Sequence, residues 1–134
     1  MNTKKYYSYI YWIIFGLLVV YMSYSKGWIF NTTPSMTPQQ AYSELQKHSS
    51  VFLDVRTNEE YNAGHIPGAI LVPVDQVEQS TIVKKLKNDS IIVYCHSGNR
   101  SLKASRILEK QGYKVYNLEN GITNWESQHL PTEP

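Results

Sequence analysis

The stretch Ser90-Ile91-Ile92-Val93-Tyr94-Cys95-His96-Ser97-Gly98-Asn99-Arg100 joins a continuous apolar run to a short polar loop. The apolar run, residues 90–94, predicts a strand that is buried on both faces. The residues that follow predict a helix from about Ser101 to Gln111, because their apolar positions recur at i, i+3 and i+4 and Gly112 is a typical stop. A strand, a loop and a helix in this order predict one unit of an α/β sheet. In such sheets, ligands and chemistry lie at the carboxyl ends of the strands.

The flanking sequence continues this alternation of strands and helices. Further strands are predicted at residues 51–55, 69–72 and 114–118, and further helices at residues 37–47, 58–63 (stopped by Gly64), 75–86 and 121–125. This pattern predicts the α/β class, with a doubly wound, mostly parallel sheet and helices on both faces. The 134 residues leave room for one such domain, predicted over residues 37–130 with a short tail at 131–134.

The N-terminal segment has a different composition. Residues 6–25 contain no charge, and at helical rise they cover about 30 Å, the thickness of a bilayer's hydrocarbon core. Tyr and Trp residues are concentrated towards its ends, and their rings favour the membrane interface. We therefore predict a basic N-terminus (residues 1–5), a transmembrane helix (6–25) and a linker (26–36). A cleaved signal peptide is the alternative, although Ser23-Tyr24-Ser25 is a poor small-x-small cleavage site.

The charges near this segment indicate an orientation in the membrane. Lys4 and Lys5 precede it, and only Lys26 follows it closely. The positive-inside tendency then predicts a single-pass membrane protein with a cytoplasmic N-terminus and an extracytoplasmic domain. The formal net charge of +2 gives no indication of nucleic-acid binding.

Cys95 is the only cysteine in the sequence, which excludes an internal disulfide and a cysteine-only metal site. Its loop favours a reactive thiol over a buried, inert one. Gly98 and Asn99 allow the loop to curl so that backbone N–H groups point into one cup, and the helix N-terminus adds a partial positive charge. These features lower a cysteine pKa below its free value of about 8.5. The basic residues that follow, including Arg100, suit a dianionic substrate such as thiosulfate.

Four motifs in order resemble the rhodanese family. They are Leu53-Asp54-Val55-Arg56 with Glu60-Tyr61, Gly64-His65-Ile66-Pro67-Gly68-Ala69, Tyr94-Cys95-His96-Ser97-Gly98-Asn99-Arg100-Ser101, and Leu118-Glu119-Asn120-Gly121-Ile122 with Trp125. The resemblance covers about Met36 to Leu130. It implies a doubly wound α/β fold and a sulfurtransferase that works through a Cys95 persulfide. The partners that it implies are a small anionic sulfur donor and an external thiol or protein acceptor.

The resemblance also implies roles for individual residues around Cys95. The loop amides would hold the bound anion and then the persulfide; they belong to His96, Ser97, Gly98, Asn99 and Arg100. Arg100 would neutralise an anionic substrate, or form a salt bridge with a buried acid such as Asp54. Asp54 and Arg56 are expected to brace the loop, and His65 to shape a turn. No cofactor is implied, and the remaining histidines show no spacing typical of a metal site.

Three alternatives differ in what the Cys95 loop does. Rhodanese-like phosphatases have a loop one residue longer, whereas only four residues separate Cys95 from Arg100 here. A membrane-tethered binding or sensing module would not need the cysteine. A persulfide carrier would keep the chemistry and deliver sulfur to a neighbouring membrane protein. Since the sequence has no second cysteine, the sulfur would have to leave to an external acceptor.

Overall fold

The computed structural model describes residues 3–25 and 33–134, which belong to two separate compact units. The first unit is helix α1 (Thr3–Ser25). Its segment Lys5–Ser25 is long and apolar enough to cross a membrane, by length and composition. Residues 1–2 of the predicted basic N-terminus and residues 26–32 of the predicted linker lie outside the described residues.

The second unit is an α/β domain. Its strands are β1 (Ser35–Met36), β2 (Val51–Asp54), β3 (Ile70–Leu71), β4 (Ser90–Tyr94) and β5 (Lys114–Leu118). Its helices are α2 (Pro38–Lys47), α3 (Asn58–Ala63), α4 (Thr81–Lys84), α5 (Asn99–Lys110) and α6 (Gly121–Ser127), with a 3₁₀ helix (Val74–Gln79) before α4.

The five strands form one sheet in the order β1-β5-β4-β2-β3, and every pairing within it is parallel. Strand β4 is central, with Val93 level with Leu53 of β2 and with Asn117 of β5. The predicted α/β class with a mostly parallel sheet is therefore confirmed. The central position of β4 explains why its sequence has no polar face.

Two apolar clusters cover the two faces of the sheet, and β4 contributes to both. Ile91, Val93 and Cys95 belong to the first cluster, together with residues from α5, α4 and the 3₁₀ helix. Ile92 and Tyr94 belong to the second cluster, with residues from α2 and α6. The alternation follows from the two-residue period of a strand. It places Cys95 on the face of the sheet that α5 covers.

Two predicted helices differ from those observed. The single helix predicted over residues 75–86 is a 3₁₀ helix followed by α4, because Ser80 interrupts it and caps α4 by accepting a hydrogen bond from Val83 N (3.3 Å). Helix α5 begins at Asn99 and not at Ser101, since Gly98 with its φ of 110° already makes the turn into the helix. The other predicted elements agree with the structure to within two residues.

The two ends of the domain also differ from the prediction. Ser35 and Met36, predicted as part of the linker, form strand β1. Residues 131–134, predicted as a tail, contact the domain: Glu133 and His65 exchange two backbone hydrogen bonds of 2.8 Å, and Trp125 Nε1 donates to Pro131 O at 2.8 Å. The first and the last residues of the α/β domain are therefore both bonded to the rest of the domain.

Strand β1 leads to a testable expectation about stability. Asn117 N donates to Pro34 O and Glu119 N donates to Met36 O, both at 2.9 Å, and Met36 packs against the second cluster. Two hydrogen bonds and part of one buried side chain predict that residues 37–134 are about 2–4 kcal/mol less stable than residues 33–134. Urea unfolding followed by Trp125 fluorescence measures the difference. Equal unfolding midpoints would show that β1 does not contribute.

Candidate active site at the end of strand β4

Cys95 is the first residue after β4, and its side chain is buried at 1% exposure. The chain then turns through His96 and Ser97 to Gly98, whose φ of 110° lies in the left-handed region that favours glycine. This turn directs the Gly98 N–H at the sulfur, with an N–Sγ distance of 3.1 Å. The loop therefore places a backbone donor where a negative charge on the sulfur would lie.

Hydrogen bonds determine the ionisation of Cys95. Burial alone raises the pKa of the thiol. The Ser101 hydroxyl and the amides of Ser101, Gly98 and Ser97 lower it by a larger amount, so the pKa of Cys95 lies below its ordinary value. Ser101 is fully buried in the first turn of α5. No role was predicted for Ser101; a hydroxyl directly after the cysteine loop is the signal that could have identified it.

Helix α6 holds the opposite side of the loop. Ile122 N donates to Cys95 O at 2.9 Å, and Thr123 N and Oγ1 donate to His96 O at 3.2 and 2.8 Å. Gly121, with a φ of 62°, brings α6 this close: a Cβ on Gly121 would lie 2.4 Å from Cys95 O and 2.5 Å from His96 O. Residue 121 must therefore lack a side chain if the loop is to keep its shape.

Arg100 forms an ion pair with Glu60 of α3. Its Nη1 and Nη2 each lie 2.8 Å from a carboxylate oxygen of Glu60. Hydrogen bonds from Arg100 are the main cause of the low pKa of Glu60, which is about 2. Glu60 also accepts a hydrogen bond from Thr57 N in the capping box of α3. Arg100 thus forms a salt bridge, as expected, but its partner is the partly exposed Glu60 and not Asp54, whose carboxylate pairs with another arginine.

The arginine that pairs with Asp54 is Arg56. Arg56 Nη2 lies 2.7 Å from Asp54 Oδ2 and also donates to Gly64 O at 2.7 Å. Both side chains are buried, and the Arg56 guanidinium lies 5.6 Å from the centre of the Tyr94 ring. The pair thus connects the end of β2 to the residue before Cys95. This position is compatible with the bracing role predicted for Asp54 and Arg56.

The remaining residues predicted for the site differ in the exposure of their side chains. The side chains of His96, Ser97 and Asn99 are exposed, so their backbone is what the loop uses. His65 is buried and its ring stacks on Tyr61 at 3.7 Å. Its Nδ1 lies 2.9 Å from Tyr61 O and its Nε2 3.4 Å from a Glu133 carboxylate oxygen. His65 itself forms a β-bridge with Glu133, and the turn lies at residues 67–68.

A cysteine of lowered pKa at the carboxyl end of a central parallel strand, with the Gly98 amide at its sulfur, is an arrangement that suits a nucleophilic cysteine in an α/β protein. The family model described as "Rhodanese-like domain" matches residues 37–128. The chain belongs to this family. Membership supports a role in sulfur transfer in general.

Individual relatives agree with this assignment. The chain is 45% identical over 74 residues to the putative sulfur carrier protein YrkF of Bacillus subtilis, a match that covers 54% of this chain and 40% of YrkF. The chain thus spans less than half of that relative. It is 30% identical over 115 residues to Bacillus subtilis YqhL, covering 84% of this chain and 88% of YqhL. The structure of a rhodanese-related protein from Thermoplasma volcanium superposes with a TM-score of 0.68 at 25% identity, covering 75% and 97% of the two chains.

The contact between Gly121 and the loop can be tested with Gly121→Ala. The left-handed backbone and the clash with two carbonyl oxygens predict a loss of about 2–4 kcal/mol in unfolding free energy. The pKa of Cys95 should also rise, because a displaced loop weakens the hydrogen bonds to the sulfur. Urea unfolding and the pH midpoint of alkylation by iodoacetamide measure the two effects.

Gly68→Ala is the matched control. Gly68 has a φ of 75°, and nothing lies within 4 Å of its Cβ position, so this variant adds the backbone strain without the clash. If both variants lose the same stability and keep the same alkylation midpoint, Gly121 does not shape the loop.

Proposed function

We propose that this protein is a sulfurtransferase that carries a sulfane sulfur on Cys95 as a persulfide. The observation that carries this proposal is the Gly98 N–H at 3.1 Å from Cys95 Sγ, within a loop that lowers the pKa of the thiol. A thiolate is the form of cysteine that attacks sulfur. Family membership supports the same chemistry.

The reaction with a thiosulfate donor needs no acid or base. The Cys95 thiolate attacks the outer sulfur of thiosulfate, a new S–S bond forms, and the old S–S bond breaks. Sulfite leaves with the electron pair of that bond, and the persulfide keeps one negative charge. The amides of Ser97 and Gly98 would hold that charge, as the contact of Gly98 N with the sulfur and the lowered pKa of the thiol support. His96, Ser97, Gly98, Asn99 and Arg100 line the loop as the proposed substrate-binding residues.

The second half of the reaction passes the sulfur to an acceptor outside the chain. Cys95 is the only cysteine in the sequence, so no internal thiol can resolve the persulfide. An external thiol attacks the outer sulfur and takes it, and Cys95 leaves as a thiolate. The hydrogen bonds that lower its pKa also make it a good leaving group.

A persulfide carrier is the second candidate. Similarity to a putative sulfur carrier protein favours it. So does the Arg100–Glu60 pair: the cation of the loop is already compensated by an acid, which weakens its attraction for a dianion such as thiosulfate. A carrier would transfer sulfur slowly to cyanide and rapidly to a protein thiol.

We also propose that α1 anchors the domain to a membrane as a single transmembrane helix. A lone helix buries none of its own apolar side chains, and Lys5–Ser25 has the length that a bilayer requires. Lys4 and Lys5 at the start of α1 favour a cytoplasmic N-terminus and an extracytoplasmic domain. A signal sequence would pass the same test of length and composition.

The persulfide can be detected by intact mass. The full chain in detergent, incubated with thiosulfate, should gain one sulfur, about 32 Da, and cyanide should remove it as thiocyanate. Cys95→Ser should gain nothing. A second incubation, with a thiol persulfide as the sulfur donor, tests the persulfide-carrier function. If a folded, alkylatable chain forms no adduct with either donor, sulfur transfer is excluded and a binding or sensing module becomes the leading function.

The membrane topology can be tested with a single introduced cysteine. Lys85 is exposed on the domain, so Lys85→Cys in the Cys95→Ser chain gives one accessible thiol. A membrane-impermeant maleimide should label it in intact bacterial spheroplasts, and carbonate washing should leave the full-length chain in the membrane. Labelling only after lysis would show the opposite orientation, with the domain in the cytoplasm. A released chain that has lost its first residues would identify α1 as a signal peptide.

A further inference from the structure

The Ser101 hydroxyl has more acceptors than it has protons. Its Oγ lies 3.0 Å from Gly98 O and 2.6 Å from Asn117 Oδ1. The Ser101 hydroxyl also contributes to the lowered pKa of Cys95. A hydroxyl carries one proton and can accept two hydrogen bonds. Ser101 can therefore stabilise the Cys95 thiolate only when its proton is not given to Asn117 or Gly98.

Asn117 is placed to decide where this proton goes. It lies on β5 level with Val93, two residues before Cys95 on the neighbouring strand, and its side chain reaches the buried Ser101. A side-chain amide has an acceptor on one side and a donor on the other, in nearly the same shape. Turning it by half a rotation presents Nδ2–H to Ser101 Oγ in place of Oδ1.

We propose that Asn117 is a positioning residue that directs the Ser101 proton to Cys95 when the sulfur is ionised. With a neutral thiol, Ser101 O–H donates to Asn117 Oδ1. With a thiolate, Asn117 Nδ2–H donates to Ser101 Oγ, and Ser101 O–H donates to Sγ. Every proton stays on its own heavy atom, and only the hydrogen bonds change partners.

This role rests on the proposed function and makes it more specific. Cys95 is a thiolate at two points of the sulfur transfer, once as the attacking group and once as the leaving group. Asn117 would stabilise both, so it would affect persulfide formation and persulfide discharge. An asparagine suits this position because its amide can both accept from Ser101 and donate to it without adding charge.

The charged and titratable groups around Cys95 remain in place in the test. They are His96 in the loop, Arg100 of α5, Glu60 of α3, and Asp54 and Arg56 at the end of β2. The deciding variant is Asn117→Asp, which keeps the shape of the side chain but removes its donor. Its carboxylate retains the Ser101 proton, and the pKa of Cys95 should rise by about one unit, or tenfold in thiolate fraction at a given pH.

A double-mutant cycle separates this effect from simple charge repulsion. The pH midpoint of Cys95 alkylation by iodoacetamide is measured by intact mass on the full chain in detergent. The variants are Asn117→Asp, Ser101→Ala and the two combined, with Asn88→Asp on an exposed turn as the charge control. In the Ser101→Ala background, Asn117→Asp should shift the midpoint by less than half as much. An equal shift in both backgrounds, or no shift at all, would overturn the proposal.

A second measurement needs no variant at residue 117. The side-chain amide resonance of Asn117 should move with pH at the midpoint of Cys95 in the parent chain, and should stay fixed over that range in Cys95→Ser. A parent resonance that does not move would also overturn the proposal. If these shifts appear but the parent chain forms no persulfide, the sulfur transfer fails and the role of Asn117 stands. If the parent chain forms the persulfide but these shifts do not appear, the sulfur transfer stands and the role of Asn117 fails.

Discussion

The loop after β4 can direct its amides towards the Cys95 sulfur only because its carbonyls are satisfied on the other side. In a tight turn, N–H and C=O groups point in opposite directions, and a buried carbonyl without a donor costs about 1–3 kcal/mol. The first turn of α6 supplies those donors to Cys95 O and His96 O. The close approach requires a glycine at residue 121. The acidity of the thiol therefore depends on a helix that bonds to the carbonyl side of the loop.

Two ion pairs support the same end of the sheet in different ways. The Asp54–Arg56 pair is buried between β2 and Tyr94 and gives the strand end a fixed geometry. The Arg100–Glu60 pair is about one-third exposed and ties α5 to α3 across 40 positions of sequence. A buried pair is costly to break, whereas a partly exposed one can exchange partners with a ligand. Rigidity beside Cys95 and adaptability at Arg100 thus occur within one site.

The sequence contained enough information to predict the sheet and the cysteine loop, but not their contacts. Strand β4 was predictable because a short, almost entirely apolar run is typical of a buried strand. Strand β1 was not, since two residues next to Pro34 show no period. The break at Ser80 had a local signal, a serine placed to cap a new helix. The Arg100–Glu60 pair and the close contact of Gly121 with the cysteine loop had no local signal in the sequence. Both depend on how segments that are distant in sequence pack against each other.

This dependence on docking has a consequence for the chain before it is folded. The donors around Cys95 come from its own loop and α5, while the loop is held in shape by α6 and α3, which lie on both sides of it in sequence. A newly synthesised or damaged chain has none of these contacts, so its cysteine has an ordinary pKa of about 8.5 and is mostly protonated at neutral pH. Reactivity towards sulfur compounds therefore appears together with the native state. Under the proposed function, an incompletely folded molecule is protected from acquiring a sulfur that it could not deliver.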